Sequence, residues 1–132
     1  MEEKKEMEGE LIKIEEIEAE RRDELASMCS FITGEELQEG IEVTFLSEPF
    51  QSGFWESKFT DGQEIKKYTI LCIVKDENTA QVKRLDTSKN FLSFLLGAMF
   101  LQGIKRITNK TAFIKRTGSK YATKYKIEFK EE

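Results

Sequence analysis

The residues of this chain whose types could do chemistry are aromatic rings set among lysines. Phe50, Phe54, Trp55 and Phe59 fall close together, with Lys58 between the last two. Lys66, Lys67 and Tyr68 follow, then Lys83 with Arg84, and finally Lys110, Lys115, Arg116, Lys120, Tyr121 and Lys124. Exposed rings on which bases stack, flanked by cations that meet phosphates, are what a single-stranded nucleic acid asks of a protein. Each residue also has a plainer reading. The rings can fold back as a satellite cluster beneath a loop, and a lysine can simply face water.

Catalysis has far less to work with. The chain contains no histidine, no nucleophile elbow, no phosphate-cradling glycine loop and no cysteines at metal spacing. Cys29 and Cys72 are the two thiols, and Cys72 sits in TILCIV, where it reads as a small apolar residue. The expectation is a protein that is not an enzyme and uses no metal and no cofactor.

Charge is unevenly spread along the 132 residues, although the total is only −4. Residues 1–28 hold eleven acids and five bases, residues 29–103 eleven and seven, and residues 104–132 three and nine. The acidic start and basic end could attract one another or serve different partners. An acidic start could also lie in a nucleic-acid groove as a decoy polyanion. The N-terminal EEKKEMEGE has no apolar run of a secretory signal, so a reduced, cytoplasmic setting is expected. Abundant Glu and Lys with one Pro lean toward a thermophilic source.

The elements that must position these residues are organised around NFLSFLLGAMFLQGI, Asn90 to Ile104, which carries no charge. Phe91, Leu92, Leu95 and Met99 line one side of a helix. Asp86, Thr87 and Ser88 precede it as capping types, and Gly103, Lys105 and Arg106 follow as a helix end would have them. Its length of about 22 Å is too short for a hydrocarbon core of ~30 Å, so no membrane is expected. Before it, Ile41, Val43 and Phe45 alternate as a strand that Pro49 ends or makes an edge, Phe50 to Glu64 reads as a long loop or hairpin, and Lys67–Lys75 and Ala80–Asp86 pair as a hairpin. After it come Thr111–Thr117 and Tyr121–Lys130. Along the last of these, Tyr121, Tyr125, Ile127 and Phe129 share the core face, while Lys124 and Lys126 point outward. Lys115 and Arg116, as neighbours, point to opposite faces.

The order β-β-β-α-β-β is that of an OB-like five-stranded β-barrel, with a second α+β sheet arrangement as the rival. The fold class is mainly β with one buried helix and an N-terminal helical extension. Residues 1–30 form the acidic extension, either a partly disordered tail or a helix from about Gly9 to Cys29 that docks or dimerises. Residues 31–132 form the barrel domain.

Three stretches, GIEVTFLSEPF, KKYTILCIVKDENTAQVKRLDTSKNFLSFLLGAM and GIKRITNKTAFIKRTGSK, resemble the small OB-fold single-stranded-DNA-binding proteins of archaea and of their viruses and phages. Leu85, Ser88 and Leu92 fit the polar step that leads into the capping helix of such proteins. The resemblance implies an OB-fold, a groove along the strand 2–3 face, and binding of single-stranded DNA or RNA without catalysis. Against this stands a second reading from the residues. Phe94, Phe100 and Leu101 point away from the Phe91 side, so the helix needs a cover. Leu11, Ile14 and Ile17 of the N-terminal segment could supply it. Alternatively the helix and that segment form a protein-docking surface or a homodimer interface.

Overall fold

The computed structural model describes residues 19–56, 64–75, 78–118 and 122–130. Lys58, Phe59, Lys120, Tyr121 and the apolar residues Leu11, Ile14 and Ile17 lie outside them. In chain order the elements are α1 (Ala19–Met28), β1 (Ser30–Phe31), α2 (Gly34–Glu39), β2 (Ile41–Phe45), β3 (Phe50–Glu56), β4 (Glu64–Lys75) and β5 (Ala80–Thr87). Then come α3 (Lys89–Gln102), β6 (Thr111–Thr117) and β7 (Lys124–Phe129). The fold is mainly β, a curled half-barrel sheet with one main helix.

The strand TILCIV explains this arrangement. Its apolar run has no polar alternation, which a strand tolerates only when both faces are covered. Ile70 and Cys72 of β4 face inward with Val43, Phe45, Leu85, Phe91, Leu95, Ile107 and Ile114, the main core. Leu71 and Ile73 face the other way and meet Ala26, Cys29, Leu46 and Phe50 in a second cluster. Burial pushes the Cys72 thiol far above its ordinary range, so it stays neutral and packs as a small apolar group.

The strand order is β1-β5-β4-β2-β6-β7, with β3 also pairing β4. β2 runs beside the C-terminal part of β4 (Phe45 opposite Cys72), and β3 beside its N-terminal part (Phe50 opposite Thr69). One long strand thus carries two partners in line, joined by the corner Leu46–Pro49. The sequence left this stretch open between a loop and a hairpin. Strand pairing wins because residues 50–56 find the unpaired edge of a β4 that begins at Glu64, earlier than its apolar run. Thr44 and Thr111 hydroxyls are 2.8 Å apart across β2 and β6.

α3 packs Phe91, Leu95 and Met99 into the hollow of the sheet. It ends on Gly103 at φ 68, where Ile104 N–H donates to Met99 O at 2.8 Å. Only one face of this helix is buried. Leu96, Phe100 and Leu101 are 63%, 85% and 84% exposed. α1 does not supply the expected cover in its described part, because Ala26 lies against Leu71, on the face of the sheet away from α3. No helix among the described residues is long and apolar enough to cross a membrane.

Two ties close the fold. Glu48 at the β2–β3 corner accepts from Ile107 N–H (2.9 Å), Thr108 N–H (2.7 Å) and the Thr108 hydroxyl (2.6 Å), pinning the exit of α3. Gly40, at φ 96, ends α2 against Phe113, whose ring leaves no room for a Cβ.

The two sides of α3 make opposite predictions. Phe91→Ala should cost about 3–5 kcal/mol in urea unfolding, whereas Phe100→Ala should stay within about 0.5 kcal/mol.

Candidate nucleic-acid interface

Beyond the corner, β3 and the first half of β4 form a two-stranded arm. Phe54 stands opposite Lys66 and Trp55 opposite Ile65. Neighbours in a strand point to opposite faces, so the two rings cannot serve one bound strand together. Phe54 is 51% exposed and shares its face with Lys66 and Tyr68; Trp55 is 38% exposed and shares the other with Ile65 and Lys67. Phe50 lies on the Trp55 side of the sheet but is buried in the second cluster and not open to a base.

The Phe54 face leads toward the start of α3. Tyr68 pairs with Thr87, whose hydroxyl donates to Tyr68 O at 3.1 Å. Ser88 and Lys89 follow, and Asn90 Nδ2 donates to Thr123 O at 3.1 Å, bringing the start of β7 alongside. Phe54, Lys66, Tyr68, Lys89 and Lys124 therefore gather at one end of the molecule. Ser88 makes no side-chain cap bond, and the first turn of α3 carries Lys89 and no acid. That choice runs against the helix dipole and leaves the end electropositive.

Lys89 was not among the residues expected from the sequence. A signal was present: no Asp or Glu occurs from Thr87 to Ile127. Lys115 and Lys126 add to the basic side, standing directly opposite in the β6–β7 register. Like charges so placed are unfavourable, and among the described residues only Lys126 of the two has a carboxylate beside it, Glu128 at 3.1 Å.

Other candidates are placed elsewhere. Arg84 is 8% exposed and fully partnered. Its guanidinium donates to Asp86 Oδ1 (2.9 Å), to Ala26 O at the end of α1 (3.0 Å) and to Thr69 Oγ1 (3.3 Å), and lies 4.8 Å from the Phe31 ring centre. It fastens α1 to the sheet and is not open to a phosphate. The outer β4–β5 face, the expected groove, is covered by α1 over Leu71. Apolar packing through Ala26 holds it there.

Lys67 lies 3.9 Å from Asp86, and Lys83 donates to Glu36 at 3.4 Å. Arg116 packs over the first turn of α2, its Nη2 near Gly34. Lys110 is half-buried after α3, while Lys115 and Lys124 are exposed on the outer face of β6–β7. Tyr125 sits inside, edge-on to Phe91 at 4.9 Å. Among the described residues no group of His, Cys, Asp or Glu could hold a metal ion.

Comparison with known proteins returns no match. No family model fits the chain, and no curated protein or solved structure matches it.

The fate of two charged residues can be checked directly. Partial burial raises the Glu36 carboxyl, but bonds from the Thr33 N–H and Lys83 more than offset this and leave it below its ordinary value. A lowered carboxylate contributes stability at neutral pH and loses it as pH falls through the folded value. Protection of the α2 amides against hydrogen exchange should therefore fall below about pH 4 and stay flat above pH 5. Arg84→Ala should cost about 3 kcal/mol in urea unfolding, since it takes the guanidinium from Asp86, Thr69 and the Ala26 carbonyl at once and leaves Asp86 the Thr69 hydroxyl and the more distant Lys67, whereas Lys66→Ala should stay within about 0.5 kcal/mol.

Proposed function

We propose that the chain is a non-catalytic binder of single-stranded nucleic acid, most simply DNA, built on a barrel of OB type. The observation that carries the reading is the Phe54–Lys66 pair. An exposed ring and an ammonium stand directly across from one another on one face of the arm, at the end that also holds Lys89 and Lys124. A base stacks on Phe54 while the phosphates on either side meet the lysines. The antiparallel pairings β2–β4–β5 and β2–β6–β7, with α3 between β5 and β6, support the barrel assignment. No metal, cofactor or general base enters this activity.

The path of the bound strand differs from the one the OB resemblance implies. It runs along the arm and the lip between α3 and β7, because α1 occupies the outer face of β4. A net charge of −4 also limits long-range steering, so affinity comes from the local lysines and falls with salt.

The test is a titration with a short mixed-sequence oligonucleotide, followed by anisotropy of a labelled strand at two salt concentrations. Phe54→Ala should weaken binding by about 1–3 kcal/mol, roughly 5- to 150-fold. Trp55→Phe, on the opposite face of the arm, should leave it nearly unchanged. Absence of any binding at low salt would overturn the proposal, and loss on Trp55→Phe alone would move the site to the other face.

A further inference from the structure

Three stripes run along α3, and two of them meet the rest of the described fold. Phe91, Leu95 and Met99 fill the hollow of the sheet. Asn90, Phe94 and Gln102 follow β7. Asn90 Nδ2 donates to Thr123 O, the Phe94 ring stands 6.0 Å from that of Tyr125, and Gln102 Oε1 accepts from Phe129 N–H at 3.3 Å. The third stripe is Ser93, Gly97 and Leu101, at i, i+4 and i+8, with Leu96 and Phe100 beside it. All five are exposed, and Leu96, Phe100 and Leu101 by more than 60%. A Cβ on Gly97 would meet nothing within 4 Å, and glycine inside a helix costs about 1 kcal/mol against alanine. Its effect here is to let another backbone come close between large side chains. Exposed apolar patches rimmed by charge mark docking surfaces.

Charge selects the occupant. Lys89 stands at one end of this face and Lys105 just beyond the other, both exposed, and no acid occurs from Thr87 to Ile127. Two copies placed α3 to α3, in either direction, would bring like charges together at both ends. Residues 1–18 have the opposite character, with eight acids against three bases. Glu3, Met7, Leu11, Ile14 and Glu18 fall at i, i+4, i+8, i+11 and i+15, the spacing of one helical stripe with an acid at each end. As a helix that stripe would be ~22 Å long, matching the ~21 Å of the 14-residue α3.

The segment's own α3 is out of its reach. α1 lies on the other face of the sheet from α3, with Ala26 against Leu71 and the Ala26 carbonyl held by Arg84. Between Ile14 and the start of α1 only residues 15–18 remain. Fully extended, they span at most ~14 Å. The outward face of α3 lies beyond both the sheet and the ~10 Å thickness of α3 itself. The α3 of a second copy is under no such tether.

We propose that residues 1–18 of one copy dock on the outward face of α3 of another, laying Met7, Leu11 and Ile14 over Gly97 and against Leu96, Phe100 and Leu101. Glu3 and Glu18 then meet Lys89 and Lys105. The contact is segment to helix, so two copies satisfy both halves by exchanging segments. The inference does not rest on nucleic-acid binding and stands if that reading fails.

Light scattering on the full chain at about 100 μM tests it, a concentration above the micromolar Kd of a small interface. The unmodified chain should be larger than a monomer, and the association should weaken as salt rises. Phe100→Ser should weaken it at least about 30-fold, and so should Leu11→Ser combined with Ile14→Ser. Phe100 is 85% exposed, so its replacement leaves the core untouched. Should that variant nevertheless fail to fold, Leu101→Ser takes its place. Mixed in equal amounts, the two monomeric variants should associate again, since one keeps the helix face and the other the segment. A monomeric unmodified chain overturns the inference. So does a Leu11→Ser, Ile14→Ser variant that still dimerises, because α3 then meets α3, and so does a mixture that stays monomeric.

Discussion

Everything in this molecule hangs on the double burial of β4. A strand whose alternate side chains are all apolar must be sandwiched, and a 132-residue chain has few layers to offer. α3 and the curled sheet close one side, with Ile70 and Cys72 almost wholly shielded. α1 closes the other through Ala26 and the corner residues Leu46 and Phe50. The same strand also borders three others. Its length lets β2 and β3 share one edge while β5 takes the second.

Polar groups within this sandwich are answered locally. Arg84 is brought into the second layer, and each part of its guanidinium finds an acceptor or a ring. An unpaired charge in that place would cost several kcal/mol. Ser47, nearly as buried, accepts from Leu71 N–H at 3.1 Å. Glu48 answers two backbone amides at once. The polar residues of the corner thus serve as joints between layers, and the surface chemistry is left to the arm and the final hairpin.

Much of this was legible in the chain. The α3 span, the β4–β5 hairpin and the final hairpin follow from apolar spacing and turn residues, and Tyr125 falls inward by parity alone. The role of Arg84 was not legible, since a lone arginine beside a lysine looks the same whether it meets a phosphate or a helix carbonyl. β3 was left open between loop and hairpin because FQSGFWE has serine, glycine and a nearby proline, and only an available edge makes it a strand. The cover on the outer face had a signal, the unbroken run in TILCIV, which says that both faces are buried without saying by what. Lys89 was hidden because a helix start is read for caps, and a base there breaks the rule.

The register of the arm slips by one residue between Gln51 and Gly53, where Gly53 takes φ 137. Phe50 and Phe54 are four apart, an even separation that would set them on the same side of a regular strand. The extra residue turns Phe50 inward to the second cluster and Phe54 to the opposite, open face. One ring anchors the arm and the next is presented by it, although both are phenylalanine. What separates an anchor from a contact here is a count of residues along the backbone: the same residues paired with β4 without the slip would exchange the faces of Phe54 and Trp55 with every side chain left intact.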